Sequence, residues 1–497
     1  MTYRKRTTHG IGTRHRRGKI LTMFTLLLPA VLGVLGLVFD GGLLFNNYRH
    51  TQHAADAAAT AAAMELMNAA GPAQATATAE SFVHTKHAMG DAVVTVSIPP
   101  STGKFAGRDG YVEVTVTRNH RSYLMTIVGS PLENEYNARA VAGWEDSTAD
   151  SAIVILDPSP APITTPAVLP VLPSPNTSLA GLEIEGAGEV SVDGAVLANT
   201  TWGDVDQEGD IAGVAAPPSY GMMCMPALPL TKLRARDIRV AGGVDAPSNY
   251  GHYDPAQPSP LRCNCLPTPD PLAALPVPTL AADASNVLAT NHGGVRVANV
   301  PIISPPEILS PGVYDWIEIV SGTIVFQPGV YVIRGVNPDT QIALDINGGQ
   351  VTAEGVMFYI TNTTTYDVAN GMPDAGDGET EPAAPGEGTI QPSVVIADLL
   401  AGSSFSPLND SSSPFDGMVL FQRRQDRRPM VIAQPSAIPG GGFSGRTYAK
   451  WGHVTLVASG QYDATFATGT MRVVTALASE ITPSSPLPPA TDVVLVE

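Results

Sequence analysis

The sequence predicts a membrane-anchored α+β protein with an N-terminal transmembrane and stalk helix, a small α+β module and a distal all-β body. Three observations carry that expectation. Residues Ile20 to Phe39 form a twenty-residue run without a charge, and an Ala-rich stretch follows. Beyond Ser151 short β-type segments ending at Gly, set among Pro-rich stretches, replace every strong helix signal.

Composition bounds the chain before any motif is read. Its 497 residues include 46 acidic and 28 basic groups, a formal net charge of −18. Gly (48) and Pro (44) are frequent but stay below the roughly 25–30% that marks a low-complexity chain. At 44% hydrophobic residues there is ample material for a core. The charge is uneven: residues 1–39 hold seven basic groups and no acidic one, leaving 21 basic against 46 acidic groups in the rest. An acidic body repels phosphates and excludes nucleic acid as a partner.

The run ILTMFTLLLPAVLGVLGLVF, with Pro29 inside it, is long enough at 1.5 Å per residue to span about 30 Å of hydrocarbon. Its basic flank is N-terminal, so the positive-inside rule places residues 1–19 in the cytoplasm and the bulk of the chain outside. A cleaved signal peptide is the competing reading. The length of the run, the lack of a small-x-small site and the helical pattern that follows favour a retained single-pass anchor over residues 20–39. A prepilin-type cut after Gly18 would call for Glu five residues on, where Met23 stands.

Helix is expected to resume after Gly41-Gly42 and persist to about Asn68, a stalk within residues 40–72. Eight of the ten residues Ala54 to Ala63 are Ala, the strongest helix former. The order Arg16-Arg17-Gly18, Leu28-Pro29, Asp40-Gly41-Gly42 and Gln52-His53-Ala54-Ala55-Asp56-Ala57 resembles the N-terminal module of TadE/TadG-like Flp pilus-assembly proteins. It covers about 50 residues, and the absence of Glu at Met23 brings the chain nearer the uncleaved TadG-like branch. The resemblance implies a bacterial inner-membrane protein that partners Tad secretion and assembly components, with Gly18, Pro29, Asp40, Gly42, Gln52, Ala54, Ala55, Asp56 and Ala57 as motif residues. Asp56, lacking a cation four residues away, reads either as a contact that fixes helix register in an assembly or as a solvated position.

A second helical stretch runs from Ala73 to Met89, followed by a strand at Val93 to Ile98. Tyr111 to Val116 alternates with Val112, Val114 and Val116 on one face, the period of a half-buried strand. A short helix is expected at Tyr123 to Val128 and a strand at Asn137 to Trp144. Together residues 73–147 read as a pilin-like α+β module, and 148–178 as a Pro-rich linker.

Residues 179–482 read as a β-solenoid-like body. Segments such as Glu189 to Gly194, Ile238 to Gly242 and Trp316 to Gly322 each end at Gly, and Ser310-Pro311-Gly312-Val313-Tyr314 recurs as Gln327-Pro328-Gly329-Val330-Tyr331. Short strands at that spacing suggest rungs of a parallel β-helix, each burying its apolar face on its neighbour. An Ig-type β-sandwich is the alternative. Residues 367–392, with six acidic and no basic groups, read as a disordered acidic insertion. Residues 483–497 read as a Pro-rich tail.

Candidate chemistry is sparse. Cys224 could form a disulfide with Cys263 or Cys265; three thiolates without a nearby His make a weak metal site. Ile153 to Ser159 begins like a von Willebrand A metal site, but Ala161 stands at the third ligand position. Arg423-Arg424-Gln425-Asp426-Arg427-Arg428 could grip an acidic glycan or a neighbouring subunit, or be a turn with paired surface charges. Asp193, Glu318 and Asp345 are the carboxylates a β-helix enzyme could use. No nucleophile elbow, phosphate loop or HExxH is present. The expectation is a non-enzymatic component with a scaffolding or adhesive body and no cofactor or metal; the alternative is an anchored β-helix enzyme acting on surface polysaccharide.

Overall fold

The computed structural model describes residues 19–68, 70–129, 131–146, 149–161, 163–165, 176–177, 180–203, 220–225, 232–280, 291–301, 303–375, 380–383, 390–397, 402–433, 442–457, 459–489 and 491–496. The chain forms two compact units, residues 1–145 with 493–497, and residues 146–492. The second is thus inserted, in sequence, near the C-terminal end of the first.

The first unit is built on one helix, α1 (Lys19–Met67). It runs through Pro29 and Gly41-Gly42 without a break, where the sequence suggested that helix resumes afresh. Each Gly costs about 1 kcal/mol in a helix interior, too little to interrupt so strong an apolar and Ala-rich context. A second helix, α2 (Pro72–Ser81), continues as one π-turn to Lys86. Three strands follow: β1 (Val93–Ser97), β2 (Tyr111–Arg121) and β3 (Glu133–Asp146), paired antiparallel in that order. A single 3₁₀ turn, Met125–Val128, lies between β2 and β3. Val112, Val114 and Val116 share one fully buried face, but Tyr111 and Glu113 on the other face are buried as well, so the start of the strand is covered on both sides rather than half-buried.

The C-terminal residues contradict their reading as a tail. Thr491–Leu495 is a strand beside β3, and the Val496 amide reaches the Val141 carbonyl at 2.8 Å. Val493 joins the core of α1, α2 and the sheet.

The second unit is a largely β body. Apart from the short antiparallel pair Thr164–Thr165 and Asn176–Thr177, the strand ladders described in it are parallel. Between residues 307 and 457 the chain visits three ladders in rotation. One joins Glu307–Leu309, Thr323–Phe326, Gln350–Ala353 and Ser404–Phe405. The next joins Gly312–Tyr314, Gly329–Ile333, Val356–Ile360 and Met418–Gln422. The last joins Trp316–Ile319, Leu344–Ile346, Val394–Ile396 and Met430–Ile432, and the long strand Gly442–Val457 contributes to all three.

The core follows from this register. Ile317, Leu344, Val394, Met430, Val454, Met471, Leu182 and Met222 stand opposite one another in an unbroken buried row. Ile319, Ile346, Ile396, Ile432, Leu456, Val473, Ile184 and Cys224 form a second. Each strand therefore completes the burial of its neighbour, because side chains on one face recur every second residue.

Residues 151–155, placed by sequence in a linker, belong to this body. Ser151–Ile155 is fully buried and pairs with Phe466 to Thr468 on one side and Val196 to Ala198 on the other. The unit's two ends also meet, since Ser151 and Leu487 exchange both backbone hydrogen bonds at 3.1 Å.

The repeated Pro-Gly-Val-Tyr segments pair with an offset of two residues, so that Gly312 faces Tyr331. Gly329 has φ 139°, and a Cβ there would stand 2.6 Å from Pro311 Cγ. Both tyrosine hydroxyls donate to the carbonyl four residues back, Tyr314 to Ser310 at 2.6 Å and Tyr331 to Gln327 at 2.9 Å. Buried in an apolar row, each phenol needs such an acceptor.

Candidate functional site

The motif residues converge on α1. Asp40, at the end of the uncharged run, is 3% exposed. Its Oδ2 accepts the backbone amides of Tyr123, Leu124 and Met125 at 2.9, 2.9 and 2.8 Å. These are the amides that lead into the 3₁₀ turn, which would otherwise lack acceptors. One helical turn earlier, a Cβ on Gly36 would stand 3.2 Å from Leu124 Cβ, so Gly at 36 admits the loop.

Gln52 and Asp56 act as a pair. Gln52 Nε2 donates to Asp56 Oδ1 at 2.7 Å and to the Arg139 carbonyl of β3 at 3.0 Å. Asp56 thus orients the amide that locks α1 to the sheet, a contact within the chain. Its own carbonyl takes Thr60 Oγ1 at 2.8 Å. Ala54 and Ala55 are fully buried with Ala58, Ala59, Ala62 and Ala63, and pack in one core with Ala75 and Ala79 of α2 and with Val114 and Ala140 of the sheet. Methyl-sized side chains let the helix backbone approach both. Ala57 is half-buried. Gly42 and Pro29 are exposed, and Gly18 lies outside the described residues.

Sequence reasoning missed two members of this seam. Thr51, fully buried, donates to the Asn47 carbonyl at 2.9 Å and meets Tyr136 Oη at 3.3 Å. Asn47 Nδ2 lies 3.2 Å from His120 Nδ1. The spacing Asp40, Asn47, Thr51 is a helical stripe of polar residues, and that periodicity was the signal available.

Elsewhere in this unit, Arg139 Nε contacts Glu113 Oε1 at 2.7 Å, and Ser101 and Thr102 donate to the same carboxylate. Burial alone would raise the Glu113 carboxyl, but these bonds outweigh it and bring it down to about 2.

In the β body the compact arginine cluster is partly internal. Arg424 and Arg427 are buried. Arg424 donates to the carbonyls of Leu272 and Leu275 at 3.1 and 2.9 Å and to Tyr448 Oη at 3.0 Å. Arg427 pairs with Asp157 at 3.1 Å and Glu381 at 2.5 Å, with Trp451 under its guanidinium. Arg423 pairs with Asp374 at 3.0 Å, and Arg428 with Asp426 at 2.9 Å. Arg423, Arg424 and Arg427 tie distant segments together, while Arg428 pairs with Asp426 inside the same turn, as the paired-charge reading expected. The same contacts correct part of the acidic stretch 367–392, where Asp374 is 1% exposed and accepts Tyr359 and Thr361 hydroxyls at 2.5 Å.

Glu318 and Asp345 are opposite one another in adjacent strands. Both are buried; Glu318 is held by Arg296 and Asn337 at 3.0 Å, and Asp345 takes Asn347 Nδ2 at 3.2 Å. Burial, then the Glu318 charge, raise the Asp345 carboxyl to about 6. Asp193 pairs with the half-exposed Arg236. A groove of about 870 Å³ opens between Pro276 to Leu280, Glu354 and Ser406 to Asp410, away from all three.

The structure carries the three cysteines as thiols and makes no Cys224 bridge. Cys224 closes an apolar row in the core, whereas Cys263 is exposed. Burial, followed by the Asp245 charge, pushes the Cys224 thiol up to about 12. Asp157, the first acid of the von Willebrand-like segment, is committed to Arg427. Among the described residues no group of three or more His, Cys, Asp or Glu is placed to hold a metal ion.

Residues 18–65 match the family described as "Putative Flp pilus-assembly TadE/G-like". The match covers about a tenth of the chain and falls on α1 with its motif residues. No curated protein and no solved structure matches the chain. Among the described residues one helix is long and apolar enough to cross a membrane, and it lies within α1. A membrane-anchored layout with a largely β body fits both findings, and the Tad-like segment supports involvement in Flp pilus assembly.

Proposed function

We propose that the chain is a non-enzymatic, single-pass component of a Flp/Tad-type pilus-assembly system in the bacterial inner membrane. Residues 20–39 hold it in the bilayer, the basic N-terminus stays in the cytoplasm, and the β body lies outside the membrane as a scaffolding or adhesive element. The observation that carries this reading is the coincidence of the Tad match with an uncovered apolar helix. Phe24, Val31, Val34, Leu35, Val38 and Phe39 are all more than half exposed, an arrangement that calls for lipid or another apolar helix.

For the β body we favour a parallel β-helix with three faces. The rotation of the chain through three parallel ladders supports it over the Ig-type sandwich, whose sheets are antiparallel. A body of this kind presents long, regular faces suited to assembly.

Chemical cross-linking in cells, followed by isolation of the whole chain, tests the assignment. Co-isolation of Tad platform or secretion components is expected, and their absence under conditions that retain other Tad contacts would overturn it. A second reading, an anchored enzyme acting on surface polysaccharide, draws on the raised carboxyl of Asp345 beside Glu318. Cleavage of a surface glycan by the whole chain, abolished in Asp345→Asn, would favour it.

A further inference from the structure

The connection between β2 and β3 contains eleven consecutive uncharged residues, Ser122 to Leu132 (SYLMTIVGSPL), between Arg121 and Glu133. Burial in the fold does not account for the large apolar side chains near its two ends. Tyr123 is 59% exposed and Leu132 54%.

The position of the loop does account for them. Gly36 and Asp40 lie one helical turn apart on the same face of α1, and both are buried while Leu35, Leu37, Val38 and Phe39 are exposed. What covers that face is this loop, through the Leu124 approach to Gly36 and the three amides held by Asp40. Gly36 is three residues inside the end of the uncharged run, about 4.5 Å along the axis. Leu124 therefore lies at the depth of the run's last turn, not above it. Backbone entering an apolar layer needs internal acceptors for its amides, and Asp40 supplies them for three in succession. Tyrosine is the residue type of the membrane–water boundary, and the Arg121 guanidinium, 5.9 Å from the Tyr123 ring, stands where phosphate headgroups would be.

We propose that the connection from β2 to β3, through Tyr123 to Met125 and Leu132, forms a second membrane contact, seated in the interfacial layer of the leaflet on the Asp40 side and holding the α+β unit against the lipid. The inference rests on the reading of residues 20–39 as a bilayer span. Lipid is the occupant the geometry favours, because the loop is fixed at the depth of the anchor's own end.

The whole chain, reconstituted into phosphatidylcholine–phosphatidylglycerol vesicles, can carry a photoreactive benzophenone side chain at one position at a time. Probes at Tyr123 and Leu132 are expected to form lipid adducts as a probe at Phe24 does, and a probe at the exposed Asp109 is expected to form none. The second loop probe covers disturbance of the loop by the first. Adducts at Phe24 with none at Tyr123 or Leu132 would overturn the loop contact and leave the span standing. Loss of adducts at Phe24 would overturn the span and the loop contact with it. Adducts at Asp109 as strong as at Tyr123 would also overturn the inference, since the contact would then be indiscriminate.

Discussion

The guanidinium of Arg427 and the carboxylate of Asp157, 270 residues apart in sequence, meet at 3.1 Å with both side chains buried. This pair joins the segment just after the strand Ser151–Ile155 to a turn late in the β body. Arg427→Met would leave Asp157 buried without its cation, a loss of about 3–5 kcal/mol for a pair of this kind. Urea unfolding of the whole chain in detergent, followed through the tryptophans, should give a lower midpoint. Asp157→Asn combined with Arg427→Met should recover part of the loss.

His453 makes the β body sensitive to acid. Its Nδ1 lies 2.8 Å from Thr470 Oγ1, and burial, aided by the Arg472 charge, depresses the ring to about 3 from an ordinary 6.5. Because the unfolded imidazole takes up a proton first, this contribution is complete above about pH 6.5 and is lost as pH falls towards 3. Thermal midpoints measured across that interval should fall with pH, and His453→Gln should flatten the dependence.

The alanines of α1 are sized for close approach. Ala59→Leu adds three carbons where no space is left, and overpacking of this sort costs about 1–3 kcal/mol. Faster amide exchange in β2 and β3 of the full chain is the expected readout. The same substitution at exposed Gly42, a Leu where a Cβ would meet nothing within 4 Å, should leave those amides unchanged.

Tyr331 marks the packing of the repeated segments. Its hydroxyl lies 2.7 Å from the Leu309 carbonyl and 2.9 Å from the Gln327 carbonyl, and its one proton is shared between the two acceptors. Tyr331→Phe removes the shared proton from a buried site and should destabilise by about 1–2 kcal/mol. A midpoint unchanged in denaturant would show that the hydroxyl does not staple the two strands.

Much of the first unit could be read directly, because its signals are local. The uncharged run, eight alanines in ten residues and the alternation of Val112, Val114 and Val116 each specify an element from neighbouring residues. The repeated Pro-Gly-Val-Tyr segments announced stacked strands for the same reason. The C-terminal strand beside β3, the pairing of Ile153 with Phe466 and the burial of Arg424 and Arg427 stayed hidden, since each depends on residues far away in sequence, from about 150 positions upward. A run of arginines looks solvated until Asp157, Asp374 and Tyr448 are brought to it. At the motif, sequence identified Asp40, Gln52 and Asp56 but not what they hold: the amides of Tyr123 to Met125 and the carbonyl of Arg139.

Surface pili per cell, counted in a strain lacking the chain, test the central claim most directly. The strain is complemented either with the whole chain or with one whose residues 20–39 are replaced by a cleaved secretory leader. Loss of pili, restored by the anchored chain and not by the released body, is the predicted result. Normal piliation without the chain, or full restoration by the released body, would contradict the account.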